Sequence, residues 1–139
     1  MNKIDIRVSY ADTDQMGMVY YGNYLTYFER GRTEWLREYG IAYKDIEANE
    51  LYFPVMNATC NYHSPAKYDD MITVETKLAE LGAAYLVFSY EVKLGERLLV
   101  SGSTKHPLVN GSFKPVRFPK EMRELLEKHI ENGKVESAK

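Results

Sequence analysis

At 139 residues the chain fits one domain that buries roughly two-thirds of the surface its unfolded form exposes, so a core needs neither metal nor disulfide. A net charge of -2 with 27% charged residues argues against bulk attraction to nucleic acid or an anionic membrane, and an anionic ligand has to find a local basic patch. Cys60 is the only cysteine, which excludes an internal disulfide and a cysteine metal cluster and fits a reducing, cytoplasmic setting.

The amino-terminal MNKIDIRVSY lacks an apolar segment of signal-peptide length, and nowhere do about 18 apolar residues run together, so a soluble, unprocessed protein without a membrane span is expected. Residues 3–10 alternate Ile4, Ile6, Val8 and Tyr10 with Lys3, Asp5, Arg7 and Ser9, the period of a half-buried strand. From Asn23 to Tyr39 the period becomes helical. Tyr24, Phe28, Gly31, Trp35 and Tyr39 mark the apolar face, and Glu29, Arg30, Arg32, Glu34, Arg37 and Glu38 the polar one. Gly40 is a natural stop. A mid-helix glycine costs on the order of 1 kcal/mol relative to alanine, so Gly31 on the apolar face implies that this helix lies close against a sheet.

A short helical segment near 43–49 follows. Turn signals at SPAKYDD (64–70), LGAA (81–84) and LGER (94–97) then divide strands at about 52–63, at 71–81, from 84 and from 97. In the third of these, Leu86, Phe88, Tyr90, Val92 and Leu94 share a face. Pro119 opens a terminal helix with Met122, Leu125, Leu126 and Ile130 on its inner stripe, and residues 134–139 read as a frayed tail after a single domain over 1–133. Consecutive strands joined by short turns make an antiparallel sheet, and the long helix covers its apolar face. The expected class is α+β.

Common hydrolytic and nucleotide signatures are absent: no G-x-S-x-G, no H-E-x-x-H and no G-x-x-x-x-G-K-[ST]. His63, His106 and His129 are scattered, which favours surface or structural roles over metal ligation, and Cys60 reads as packing. No metal or cofactor is implied. The chemistry-bearing stretch is YADTDQMGMVYYGNYLTYFER (10–30). Aspartates before helices usually serve turns and N-caps, and Asp12 fits that reading. Asp14 is followed by QMGMVYYGNY, so the helix cannot begin at once, and Gly17 and Gly22 permit tight turns and close backbone approach. A carboxylate then faces a helix start with unpaired N–H groups. That arrangement suits acyl transfer, with amides holding an oxyanion and the carboxylate attacking directly or activating water.

These residues resemble the hotdog-fold acyl-CoA thioesterases, in the 4-hydroxybenzoyl-CoA thioesterase-like branch that includes the Tol–Pal-associated acyl-CoA thioester hydrolases. The resemblance is carried by RVSYADTDQMGMVYYGNYLTYFERGRTEWL, by PAKYDD and by the run through GSTKHPLVNGSFKPVRFP. It implies a curved, five-stranded antiparallel sheet wrapped around the central helix, with a C-terminal helix, and copies that pair edge to edge as a homodimer or homotetramer. It also implies an acyl-CoA substrate and hydrolysis to a free acid and CoA. The catalytic aspartate falls on Asp14, and the carbonyl-polarising amide falls on Tyr21. Relatives often carry histidine there, which leaves the backbone role intact. Gly17 and Val19 fall beside the substrate.

Lys67 and Arg117 are the candidate cations for the CoA phosphates, together with Lys105, Lys114 and Lys120. Tyr24 is assigned to packing. Two other readings are open: a non-catalytic acyl-CoA-binding hotdog protein, and a hotdog enoyl-CoA hydratase or dehydratase, which needs an aspartate–histidine pair that the scattered histidines do not supply.

Overall fold

The first strand, β1, runs from Asn2 to Arg7 in the computed structural model, which describes residues 1–41, 43–131 and 134–135. The long helix α1 spans Asn23–Glu38 and the short helix α2 Tyr43–Ala48. Four strands follow: β2 (Asn57–Tyr62), β3 (Met71–Leu81), β4 (Tyr85–Leu94) and β5 (Arg97–Pro107). The closing helix α3 is Lys120–His129. The five strands pair antiparallel in the order β1-β3-β4-β5-β2, with register breaks between Leu78 and Glu80 and between Val92 and Lys93 that bend the strands. Helix α1 lies on β1, β3 and β4. This is the expected hotdog arrangement.

Contact between helix and sheet depends on small residues. A Cβ on Gly31 would meet Thr76 Oγ1 at 2.4 Å and Val74 Cγ1 at 3.1 Å, so the glycine lets α1 settle directly on β3. One turn earlier, Phe28 stacks on Tyr90 with ring centroids 4.2 Å apart, and Trp35 meets Phe88 edge-on at 5.2 Å. Gly102 of β5 gives Phe28 its room, since a Cβ there would lie 2.7 Å from the ring. Alternate residues of β4, Leu86, Phe88, Tyr90 and Val92, are buried as their spacing predicts.

Four features differ from the sequence expectations. Strand β1 stops at Arg7, and Tyr10, placed on its apolar face by alternation, is 79% exposed in a single 3-10 turn at Tyr10–Asp12. The strand expected at 52–63 is confined to 57–62, because Pro54 cannot donate to a ladder; Tyr52 instead exchanges 2.9 Å backbone bonds with Val109. Arg32, assigned to the polar face, is only 8% exposed and turns towards the side of β5 that holds Thr104. Residues Lys134–Val135, within the segment expected to fray, form a short strand β6 parallel to β3; the remainder of that tail, 136–139, lies outside the described residues.

His106 is fully buried, with Nε2 2.7 Å from Thr104 Oγ1, which in turn lies 2.5 Å from Tyr90 Oη, and with Nδ1 3.4 Å from the Phe53 carbonyl. Burial, and then the nearby Arg32 charge, push its pKa down to about 4. The structural role expected for this histidine is the one found.

Two tests follow from this packing. Gly31→Ala should lose about 1–2 kcal/mol of stability, although an exposed helical glycine would gain about 1 from the same change. Thr76→Ala should rescue part of the loss when combined with it in denaturant titrations. The unfolded chain protonates His106 near the ordinary value and the folded chain does not, so stability is present above about pH 6.5 and falls as pH drops towards 4. Between pH 7 and pH 5 this contribution amounts to about 2 kcal/mol, and His106→Asn should abolish that share of the pH dependence in thermal melts.

Candidate active site

Asp14 sits in a small antiparallel loop. Thr13 bridges Val19, the Asp14 N–H donates to the Met18 carbonyl at 2.8 Å, and Gly17, with φ +75°, closes the turn by donating to the Asp14 carbonyl at 3.0 Å. The side chain is held as well. Asp14 Oδ1 accepts the Met16 N–H at 2.8 Å and the Met18 N–H at 3.3 Å, whereas Oδ2 makes no hydrogen bond among the described residues. One oxygen orients the carboxylate and the other remains available. An N-cap role is not what is found for this aspartate.

Helix α1 starts beside this loop without a side-chain cap: Gly22 occupies the N-cap position. The Tyr21 and Gly22 N–H groups have no acceptor among the described residues, and so present the positive end of the helix. Asp12 ties the two parts together. Its carbonyl accepts the Tyr20 N–H and Asn23 Nδ2, both at 2.9 Å. Val19 is buried, with its N–H donating to the Ala66 carbonyl at 2.9 Å, and belongs to the wall beside the helix start.

A groove of about 280 Å³ opens along this wall, lined by Val19, Tyr21, Tyr24, Tyr62, His63 and Ser64, with Pro65 at its end. Tyr62 Oη donates to the Tyr21 carbonyl at 3.2 Å, and Tyr24 Oη accepts the Ala66 N–H at 3.2 Å. Burial raises the Tyr24 pKa, so its hydroxyl keeps its proton. The packing role expected of Tyr24 is present, and its ring also faces the groove. Sequence reasoning missed His63 and Tyr62. His63 had counted as scattered, yet the turn into Ser64–Asp70 carries it to the groove, where its Nε2 lies 3.1 Å from Ser101 Oγ. The proximity of His63 to the PAKYDD run was the available signal.

Lys67 joins the site through the backbone. It bridges Met18, and the following Tyr68 N–H donates to the Gly17 carbonyl at 3.0 Å. Arg117 does not join it. The Tyr62 end of β2 pairs with Val100 of β5, whereas Val116 bonds to Leu108, and the step from Val100 to Leu108 spans roughly 26 Å of strand. Lys105 lies over the Tyr85 ring towards that same far end, with Lys114 and Lys120. Backbone pairing thus joins Asp14, Gly17 and Val19 to Lys67 in one loop cluster, of which Val19, with Tyr21, lines the groove while Asp14 does not, and Arg117 lies at the far end. Among the described residues no three His, Cys, Asp or Glu side chains are grouped to hold a metal, and no helix is long and apolar enough to cross a membrane.

Comparison with known proteins bears on the family and the fold. Residues 16–101 match the family model described as the thioesterase superfamily. The acyl-CoA thioesterase YbgC of Haemophilus influenzae is 38% identical over 120 residues, covering 85% of this chain and 88% of the relative. A solved hypothetical protein from Thermus thermophilus superposes with a TM-score of 0.89 at 33% identity, covering 93% of this chain and 99% of the other. The solved DHNA-CoA thioesterase of Staphylococcus aureus gives 0.87 at 30% identity, with 91% and 88% covered. By its sequence, its sheet order and its central helix, the chain belongs to the thioesterase superfamily and adopts the hotdog fold.

Proposed function

We propose that this protein hydrolyses acyl-CoA thioesters to a carboxylic acid and CoA, with Asp14 as the reacting carboxylate and the Tyr21 amide as the carbonyl-polarising group. The observation that carries this reading is the pairing of a carboxylate anchored through Oδ1 alone with a helix start whose N–H groups are unclaimed. A thioester carbonyl oxygen directed at those amides gains charge as the carbon becomes tetrahedral, and preorganised donors stabilise that charge most in a site shielded from water. Asp14 Oδ2 either attacks the carbonyl carbon, expelling the CoA thiolate and leaving an anhydride for water to open, or removes a proton from the attacking water. Either route yields the free acid and CoA. The alternative enoyl-CoA hydratase needs a histidine paired with the carboxylate. His63 instead lies with Nε2 3.1 Å from Ser101 Oγ of the adjoining strand β5, which favours hydrolysis.

The assembly we infer is a homodimer or a homotetramer of such dimers in the cytoplasm. Among the described residues β2 pairs only with β5, and exposed Tyr21, Leu25, Val55, Met56 and Tyr62 surround its open edge. Unpaired strand edges of this kind are normally covered, and a second copy paired antiparallel along β2 completes the groove. Lys67, bridged to Met18 of the Asp14 loop, is the cation we assign to the CoA phosphates at this end. Arg117 reaches a site only across such an interface.

Asp14→Asn should reduce CoA thiol release from a panel of short, long and aromatic acyl-CoAs by at least about a hundredfold in kcat. Equal turnover by the native and substituted proteins would remove Asp14 from the mechanism, and binding without turnover by the native protein would favour a non-catalytic acyl-CoA carrier. A backbone role for Tyr21 makes a different demand. Tyr21→Phe should stay within about threefold of native, whereas Tyr21→Pro, which lacks the N–H, should lose about a hundredfold.

A further inference from the structure

Contacts from the start of α1 and the residues just before it converge on one residue of the loop that carries Asp14. Tyr27 Oη donates to Asp12 Oδ2 at 2.9 Å, and Asn23 Nδ2 and the Tyr20 N–H both donate to the Asp12 carbonyl at 2.9 Å. Tyr27 is buried in the core, edge-on to Tyr24 with centroids 5.7 Å apart. Burial, and then the bond to Asp12, hold its phenol above the usual range, so it keeps its proton and donates. A phenylalanine would fill the same space without a hydroxyl to satisfy. A buried tyrosine hydroxyl usually finds a partner, and here that partner lies two residues before Asp14. Thr13 between them is extended, at φ -101° and ψ 156°, so a shift of Asp12 passes directly to Asp14.

We infer that Tyr27 and Asn23 are positioning residues which, through Asp12, set the separation between the Asp14 carboxylate and the Tyr21 amide. Neither residue touches the groove; they act on its geometry. The inference rests on the thioesterase reading above. Its physical basis is the sensitivity of a preorganised site to misplacement, where about 1 Å can change a rate by about a hundredfold. The same helix supplies the amide and grips the loop, so the two reacting elements move as one body as long as these bonds hold.

Steady-state CoA release by the full chain tests this, using the acyl-CoA that the native protein turns over fastest. Tyr27→Phe and Asn23→Ala should each lower kcat by about five- to tenfold with KM within about twofold, and together by about thirtyfold or more, while thermal melts show folded protein. In an Asp14→Asn background, measured on residual turnover at high protein concentration, the same changes should have no further effect. Native kcat in Tyr27→Phe and Asn23→Ala would overturn the inference, as would an equal fold-loss in the Asp14→Asn background, which would mark a general structural role. If Tyr27→Phe fails to fold, Asn23→Ala and its Asp14→Asn combination decide the matter alone. An unaltered protein that releases no thiol from any acyl-CoA overturns both readings, whereas an active parent with unaffected variants overturns the positioning role only.

Discussion

The approach of α1 to β3 at Gly31 fixes the rest of the molecule. With no Cβ between them, the helix sits so low on the sheet that Thr76 and Val74 fill the space a side chain would take. The aromatic contacts on either side, Phe28 on Tyr90 and Trp35 on Phe88, then prevent rotation or sliding of the helix. Close-packed interiors transmit such constraints over a whole element. A helix fixed at its middle has its ends fixed too, and the amino-terminal end of α1 is where the chemistry is proposed.

Helix placement alone would not make a site. The unclaimed Tyr21 and Gly22 N–H groups precede the first helical residue, whereas a cap side chain at position 22 would engage the N–H of Tyr24 or Leu25 instead. Glycine at this position costs the helix a few tenths of a kcal/mol and puts no side chain beside those donors. The carboxylate is treated in the opposite way. Asp14 is tied down through Oδ1 by its own loop, so a small acidic side chain that would otherwise rotate freely presents Oδ2 in one direction. Openness on the donor side and restraint on the acceptor side are both needed for a carbonyl to sit between them.

Much of this was legible in the sequence, for reasons that differ by residue. Period-two and period-3.6 patterns located β1, β4 and α1, because burial on one face leaves a periodic record, and turn signals bounded β3 and β5. Gly31 announced a close contact because a helical glycine is otherwise unfavourable. Asp14 could be singled out since the interval between the aspartate and the helix is too long for capping, whereas Tyr21 was reached only through the family resemblance. Arg32 could not be read correctly: a charged residue on a helix is normally solvated, and its burial depends on partners in β5 that are distant in sequence. Tyr10 continued the alternation of β1 three residues past the end of the strand. Tyr62 and His63 reach the groove through the β2–β5 register, and Tyr27 reaches Asp12 through the height of the helix above the sheet. Neither quantity is written locally in the chain.

The position of the basic residues has a consequence for the assembly. Within one chain, Lys67 lies at the helix start and Arg117 at the opposite end of β5, which by itself would separate the two candidate phosphate contacts by the length of a strand. The antiparallel two-fold proposed across β2 reverses one copy relative to the other, so the far end of one chain is carried to the near end of its partner. In that proposed dimer the basic residues that a single chain holds away from its own helix start would face the helix start of the second copy. An open β2 edge, exposed apolar side chains along it and cations at the far end of β5 are thereby accounted for by one symmetry operation.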